Sequence, residues 1–283
     1  MVRIPDVHFP LNGKEYVIHG GLAEVLNRCF KLMKKDDDTV ILIVGPERVG
    51  KSKLRDLIGG YWQYLTKTKF NVDNIHFTSK EYMKFALFQK PYTFVSHDET
   101  RRDLNTMRSM SKSAVDFTNY LSECGDNNQV HCLLLPAFSD ISKYVALWRT
   151  KLLIEVGKIK NKSTGEYDRG LFRIIKTKSK KKLTYYHKNK YTKFPKSMVA
   201  FSGRFKDNDV IPTDIYKAKK QQFKESKYIE EEKKEKAINV PTRLIPSLAN
   251  KKPGELWEPG SKEYEMGRKW LYSLRKAGNP ESG

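Results

Sequence analysis

An apolar run followed by a glycine-bounded loop constrains the fold of this chain more than any other feature. Residues 40–44 read Val-Ile-Leu-Ile-Val, and residues 45–52 complete the pattern G-x-x-x-x-G-K-[ST]. The apolar run indicates a buried strand, and the residues after the loop predict a helix from Lys53 to about Leu65. A strand, a glycine loop and a helix in this order form a cradle for phosphate. We therefore predict that the chain binds a nucleoside triphosphate.

Each residue type in this loop suits a phosphate ligand. Gly45 and Gly50 allow a tight turn that points backbone N–H groups inward, and the positive end of the helix adds to the attraction. We expect Lys51 to reach the terminal phosphates and the Ser52 hydroxyl to bind Mg²⁺. The predicted nucleotide-binding residues are Gly45, Pro46, Glu47, Arg48, Val49, Gly50, Lys51, Ser52 and Lys53.

A second candidate site ends the β-rich run of residues 92–97, which closes with Asp98 and Glu99. A carboxylate at the carboxyl end of a strand beside the loop strand is placed to hold Mg²⁺, so we predict Asp98 as a metal ligand. Glu99 could polarise the water that attacks the terminal phosphate, which would make it catalytic. The alternative is a solvated acidic pair at a strand end. His97 suits a strand position better than a catalytic one.

The charge balance points to a polyanionic partner. The 283 residues include 54 Lys and Arg against 33 Asp and Glu, which gives a net charge of +21. Residues 157–236 contain 24 basic and 10 acidic residues, so most of the excess follows the nucleotide motifs. Aromatic and basic residues alternate over 185–194, which favours nucleic acid, held mainly through its phosphates. A solubilising lysine-rich surface is the alternative.

The remaining composition favours a cytoplasmic protein. Cys29, Cys124 and Cys132 are too few and too irregularly spaced for a disulfide framework or a zinc site. No segment approaches the roughly 18 apolar residues of a membrane span, and residues 1–20 lack a signal-peptide core. We expect a soluble protein with no membrane span in a reducing compartment.

Alternating strand and helix patterns predict an α/β fold with a mostly parallel sheet of five or more strands, flanked by helices. The predicted strands are residues 40–44, 74–77, 92–97, 129–136 and 151–156. The predicted helices are residues 22–34, 53–65, 79–88 and one with an apolar face at Val115, Phe117 and Leu121.

The pattern changes after Gly157. Residues 171–175 and 183–186 predict an antiparallel hairpin with a lysine-rich turn, and residues 214–236 a long solvated helix. The expected organisation is a lead-in and helix at 1–37, a nucleotide-binding core at 38–158, a basic β-hairpin extension completing the core at 159–210, and a charged helix with a Pro/Gly-rich arm at 211–283.

The order of these elements resembles that of the additional-strand catalytic-glutamate P-loop ATPases, and within them the FtsK–HerA superfamily, in particular its viral genome-packaging ATPases and phage relatives. The resemblance covers about residues 38–158 and is carried by residues 45–52, 95–103 and 133–140. It implies a RecA-like core, hydrolysis of ATP with Mg²⁺, and a ring of five or six subunits. It also implies that Ser139 senses the γ-phosphate and that Arg149 is a catalytic arginine finger acting on a neighbouring subunit.

Two features depart from that superfamily. Pro136, Ser139 and Asp140 occupy the region where its sensor is often Gln or Asn, and the basic C-terminal region has no counterpart in the minimal packaging motors. An ion pair with a nearby carboxylate is the alternative role for Arg149. The competing candidates for the finger are Arg101, Arg102 and Arg108.

These observations predict an ATP-driven nucleic-acid motor that moves DNA in genome packaging or in plasmid or phage translocation, in the host cytoplasm if the protein is viral. The arm at 211–283 would dock onto a portal, a capsid or another protein. Two alternatives stay open: a helicase or replication ATPase of a mobile element, and a slow NTP-dependent switch or assembly scaffold. The polymer (double-stranded DNA, single-stranded DNA or RNA) is also open.

Overall fold

A computed structural model describes residues 4–98, 100, 112–160, 165, 167–238 and 268. Glu99 and residues 101–111, which include the three competing arginines, lie outside the described residues, as does most of the C-terminal arm. The chain divides into two compact units, Met1–Lys220 and Gln221–Gly283. The candidate site lies in the first unit.

The first unit is built on a seven-stranded sheet and a separate two-stranded hairpin. Its strands are β1 (Val7–Leu11), β2 (Lys14–Ile18), β3 (Thr39–Val44), β4 (Ile75–His76), β5 (Phe94–His97), β6 (Val130–Leu135), β7 (Thr150–Lys160), β8 (Tyr167–Ile175) and β9 (Val199–Arg204). Its helices are α1 (Gly20–Met33), α2 (Lys51–Thr66), α3 (Ser79–Leu87), α4 (Lys112–Glu123) and α5 (Lys180–Lys188). A last helix, α6 (Thr213–Ile238), begins in the first unit and continues into the second.

The large sheet has the strand order β4-β5-β6-β3-β7-β8-β9. Strands β3 to β7 are mutually parallel, while β8 and β9 are antiparallel additions. Every residue of β3 and of β6 is buried, as continuous apolar strands in the middle of a two-faced parallel sheet should be. The prediction of a mostly parallel α/β sheet of five or more strands is confirmed.

Helices cover both faces of this sheet. Alternate residues of β3 point to opposite faces, and Leu42 joins a buried cluster with Tyr82 of α3, Phe117 of α4 and Leu183 of α5. On α2, Trp62 and Leu57 are buried as well. The predicted start of α3 is also confirmed, because the Thr78 hydroxyl accepts a hydrogen bond from the Glu81 amide and caps the helix.

The predicted hairpin between residues 171–175 and 183–186 is wrong. Strand β8 pairs with β7 and β9, whereas residues 180–188 form α5. Leu183 is buried and is followed at helical spacing by half-buried Tyr186 and His187, so the apolar positions repeat every three to four residues rather than every two.

No helix in the described parts of the chain is both long enough and apolar enough to cross a lipid bilayer.

Candidate functional site

The loop between β3 and α2 requires glycine at both ends. Gly45 has φ 152°, and a Cβ atom there would lie 2.3 Å from the carbonyl oxygen of Val156 on β7. Gly50 has φ 102° and directly precedes α2. Both conformations are ones that residues with a side chain rarely adopt. The glycine spacing of the pattern therefore reflects the backbone path of this loop.

The amino end of α2 suits an anion. The helix begins at Lys51, and no side chain makes a capping hydrogen bond at Gly50. The first N–H groups of a helix have no partner within the helix, and together with the helix dipole they attract negative charge. Phosphate oxygens fit this position, and Ser52 stands in the same first turn.

Lys51 is bound to its own loop. Its Nζ atom donates hydrogen bonds to the carbonyl oxygens of Gly45, at 2.6 Å, and of Pro46, at 2.7 Å. Burial lowers the pKa of Lys51, and the nearby carboxylates of Asp98 and Glu47 partly offset this effect. A phosphate ligand would have to replace the two carbonyl contacts.

Asp98 follows β5, at the same edge of the sheet as the loop, because the carboxyl ends of parallel strands meet at one edge. Its Oδ2 atom lies 3.2 Å from Nη1 of Arg55 and accepts a hydrogen bond from the Tyr216 hydroxyl. Burial opposes ionisation of Asp98, but the charges of Arg55 and Lys220 and the Tyr216 hydrogen bond outweigh it and lower the pKa. Asp98 is therefore a carboxylate, the form that Mg²⁺ binds.

Arg55 is a site residue that sequence reasoning missed. It is fully buried on α2, bonds the carboxylate of Asp56 through Nε and Nη2, and stacks on the ring of Tyr216 at 5.1 Å. An arginine and an aspartate inside the otherwise apolar stretch 54–62 are the signal that could have revealed this network, since buried charges require partners.

A cavity of about 570 Å³ opens beside the loop. Pro46, Glu47 and Val49 of the loop line one side of the cavity, and residues of β7 and β8 line the other. On that second side Glu155 and Arg173 form a cross-strand ion pair. This space is large enough for a small-molecule ligand next to the phosphate-binding loop.

The other predicted site residues divide between the two edges of the sheet. Ser139 lies in the turn Phe138–Asp140 directly after β6, at the edge that carries the loop and Asp98. Lys53 turns away from the loop, since its Nζ atom donates to the Asn208 carbonyl at 2.6 Å and to the Thr213 hydroxyl at 2.8 Å. Pro46, Glu47 and Arg48 are exposed, whereas Val49 is buried.

Arg149 lies at the opposite edge. It directly precedes β7, and its guanidinium bonds the buried carboxylate of Asp38 and the carbonyl oxygen of Leu121. The structure thus gives Arg149 the ion pair that was the alternative to the finger role, and it does not bring Arg149 near the loop of its own chain.

One buried group of potential metal ligands lies at that edge. The ligand atoms of Asp38, Cys124 and His131 are within 4.8 Å of one another. However, Asp38 already pairs with two cations, Arg149 and Lys151, which leaves little reason for a third positive charge there.

No protein-family model matches the chain, and a search of curated proteins found no relative. The arguments below therefore rest on the fold and on the geometry of the site.

Proposed function

We propose that this chain is a P-loop ATPase of the additional-strand catalytic-glutamate class and that it moves nucleic acid, with DNA the favoured polymer. One observation carries the proposal: the glycine loop joins β3 to the uncapped start of α2, at the sheet edge where Asp98 ends β5. Lys51 and Asp98 are close enough that the carboxylate shifts the pKa of the lysine.

The proposed roles follow from these positions. Lys51 and the N–H groups of the loop would hold the phosphates of ATP, and Ser52 and Asp98 would hold Mg²⁺. The bound metal ion would neutralise phosphate charge during hydrolysis. Glu99, the proposed catalytic base, follows Asp98 directly in the chain, and the cavity beside the loop would receive the nucleoside.

The strand order favours the additional-strand class over kinases and small GTPases. Strand β6 lies between the loop strand β3 and the Asp98 strand β5, so an extra strand separates the two motifs. The narrower placement in the FtsK–HerA superfamily, the ring of subunits and genome packaging remain proposals. Because Arg149 pairs with Asp38, we do not include it among the proposed catalytic residues.

A second candidate, the slow NTP-dependent switch, is favoured by the contacts that now hold the two key side chains. Lys51 is bound by loop carbonyls, and Asp98 by Arg55 and Tyr216. If those contacts persist in the nucleotide complex, ATP would be bound and hydrolysed slowly.

Steady-state ATP hydrolysis with and without DNA, at low and moderate salt, tests the proposal. The proteins to compare are wild type, Lys51→Met, Glu99→Gln and, as a matched control, Lys31→Met, which removes an exposed lysine of α1. We expect DNA to stimulate the wild type and the control several-fold, salt to weaken the stimulation, and the two site variants to be inactive. Nucleotide binding without hydrolysis would favour the switch, and absence of binding would overturn both.

A further inference from the structure

The most one-sided charge in the described part of the chain surrounds α5. Residues 169–206 contain thirteen Lys and Arg and no Asp or Glu. A segment of this composition attracts polyanions through many weak contacts with phosphate. Helix α5 and the loop after it hold the densest part of this charge, so their exposed side chains decide what kind of polyanion fits.

Helix α5 has one buried and one exposed face. Leu183 fixes the helix to the core, and His187, one turn later, bonds the Ile141 carbonyl at 2.8 Å. Lys181, Tyr185 and Lys188 are all exposed and stand at positions i, i+4 and i+7. Residues at this spacing share one face of a helix. A tyrosine therefore lies between two lysines on the solvent side.

Trp148 extends this surface at the start of α5. The Nζ atom of Lys180 lies 5.7 Å from the centre of the Trp148 ring and donates a hydrogen bond to the Leu147 carbonyl. Trp148 nevertheless remains 65% exposed. A large aromatic ring is costly to leave in water unless it serves a partner.

A second aromatic group lies toward the end of α5. The rings of Tyr185 and Tyr191 are 5.9 Å apart, and the two side chains are 56% and 46% exposed. Lys188 and Lys190 flank them in the sequence, and both are exposed. Lys180 and Tyr185 are five residues apart, or ~7.5 Å along the helix axis. The two aromatic groups are thus separated by a short distance along a basic surface.

We propose that this surface, formed by Trp148, Lys181, Lys182, Tyr185, Lys188 and Tyr191, binds single-stranded nucleic acid. Unpaired bases stack on the Trp148 and Tyr185 rings, and the lysines contact the phosphates between them. Exposed aromatic rings among basic side chains suit single strands, since a duplex hides the faces of its bases. The proposal deepens the proposed function, because it names the polymer form and where a nucleic-acid motor of this kind would hold it.

Fluorescence anisotropy of the full chain without nucleotide tests this proposal. The probes are a labelled 20-nucleotide oligo-dT, an abasic oligonucleotide of equal length and charge, and a duplex. The aromatic variant is Trp148→Leu/Tyr185→Leu, with Phe88→Leu as its control, because Phe88 is 81% exposed at the end of α3. The charge variant is Lys181→Ala/Lys182→Ala, with Lys34→Ala/Lys35→Ala after α1 as its control.

We expect the aromatic variant to lose at least tenfold in affinity for oligo-dT but little for the abasic oligonucleotide. The charge variant should weaken both and flatten the salt dependence by about 0.7 per lost contact in a plot of log K against log salt. Both controls should match wild type. Equal binding of oligo-dT and the abasic oligonucleotide, a preference for duplex, or equal losses in variant and control would each overturn the proposal. Because no nucleotide is present, these outcomes are separate from failure of ATP hydrolysis.

Discussion

Tyr216 of α6 donates its hydroxyl hydrogen to Oδ2 of Asp98, the same oxygen that Arg55 approaches from α2. The contact joins residues 118 positions apart in the sequence. It also connects the predicted metal ligand to a helix outside the predicted nucleotide-binding core. Any rearrangement of Asp98 on metal binding would therefore be felt at the start of α6.

Replacing Tyr216 with Phe should reduce stability, because the variant loses a hydrogen bond to a buried carboxylate. Hydrogen bonds to charged groups contribute about 1.5–3 kcal/mol, so we expect the free energy of unfolding, measured in urea, to fall by about that amount. Tyr61→Phe is the matched control, since the Tyr61 hydroxyl bonds the neutral amide oxygen of Asn27. An equal loss in both variants would contradict the special role of Asp98.

The same variant should change the response to Mg²⁺. If Asp98 is a metal ligand, removing one of its competing partners should lower the Mg²⁺ concentration that half-saturates ATP hydrolysis. Tyr61→Phe should leave that concentration unchanged. A higher requirement in Tyr216→Phe would show that the tyrosine helps to position Asp98 for the metal instead of competing with it.

Two buried histidines should make stability depend on pH. Burial, reinforced by Lys219 for His76 and by Arg149 for His131, lowers the pKa of each imidazole to about 3. The unfolded chain protonates histidine near pH 6.5, so below that pH it binds more protons than the folded chain. The free energy of unfolding should then fall by about 1.4 kcal/mol per pH unit for each histidine down to about pH 3.

Urea unfolding between pH 7 and pH 4 tests this expectation. His131→Gln should show a shallower loss of stability than wild type over that range. His8→Gln, which removes an exposed imidazole on β1, should parallel wild type. A slope in His131→Gln as steep as that of wild type would contradict the prediction.

Asp38 and Arg149 should behave as a structural pair. Arg149→Ala leaves the buried Asp38 carboxylate with only Lys151, and breaking a buried pair from one side costs about 3–5 kcal/mol. Adding Asp38→Asn should recover part of that loss, and a double-mutant cycle measures the coupling. Normal stability with abolished hydrolysis in Arg149→Ala would instead restore the finger role.

Gly45→Ala should disturb the loop more than a glycine change elsewhere. The new Cβ atom would have to move away from the Val156 carbonyl and adopt a backbone conformation that costs about 1–3 kcal/mol. We expect lower stability and weaker ATP binding by calorimetry. Gly125→Ala is the control, since nothing lies within 4 Å of the position its Cβ would take. Wild-type nucleotide affinity in Gly45→Ala would contradict the proposed phosphate site.

Much of the sheet could be predicted because its strands are short, continuous apolar runs bounded by polar turns. The strand at 40–44 and the strand at 151–156 both appear where expected, as β3 and β7. Helix α5 could not be predicted as easily, because three consecutive lysines obscure the single apolar position, Leu183, that fixes it. The order of strands in the sheet also needs the structure, since it depends on contacts between distant segments.

The candidate site shows the same division. The loop pattern and Asp98 were legible because their spacing and their place after strands are local properties. The partners of Asp98 were not, since Arg55 and Tyr216 come from helices 43 and 118 residues away. The environment of Arg149 depends likewise on Asp38, which precedes β3 in the chain and lies beside the start of β7 only once the sheet forms.

The acid-free segment around α5 also bears on self-association. Each copy carries a net charge of +21, and like charges repel over a screening length of about 10 Å at 0.1 M salt. Copies brought together would repel one another most strongly in dilute buffer. Added salt should thus favour self-association while it weakens nucleic-acid binding, and a bound polyanion would act as the counterion that permits both.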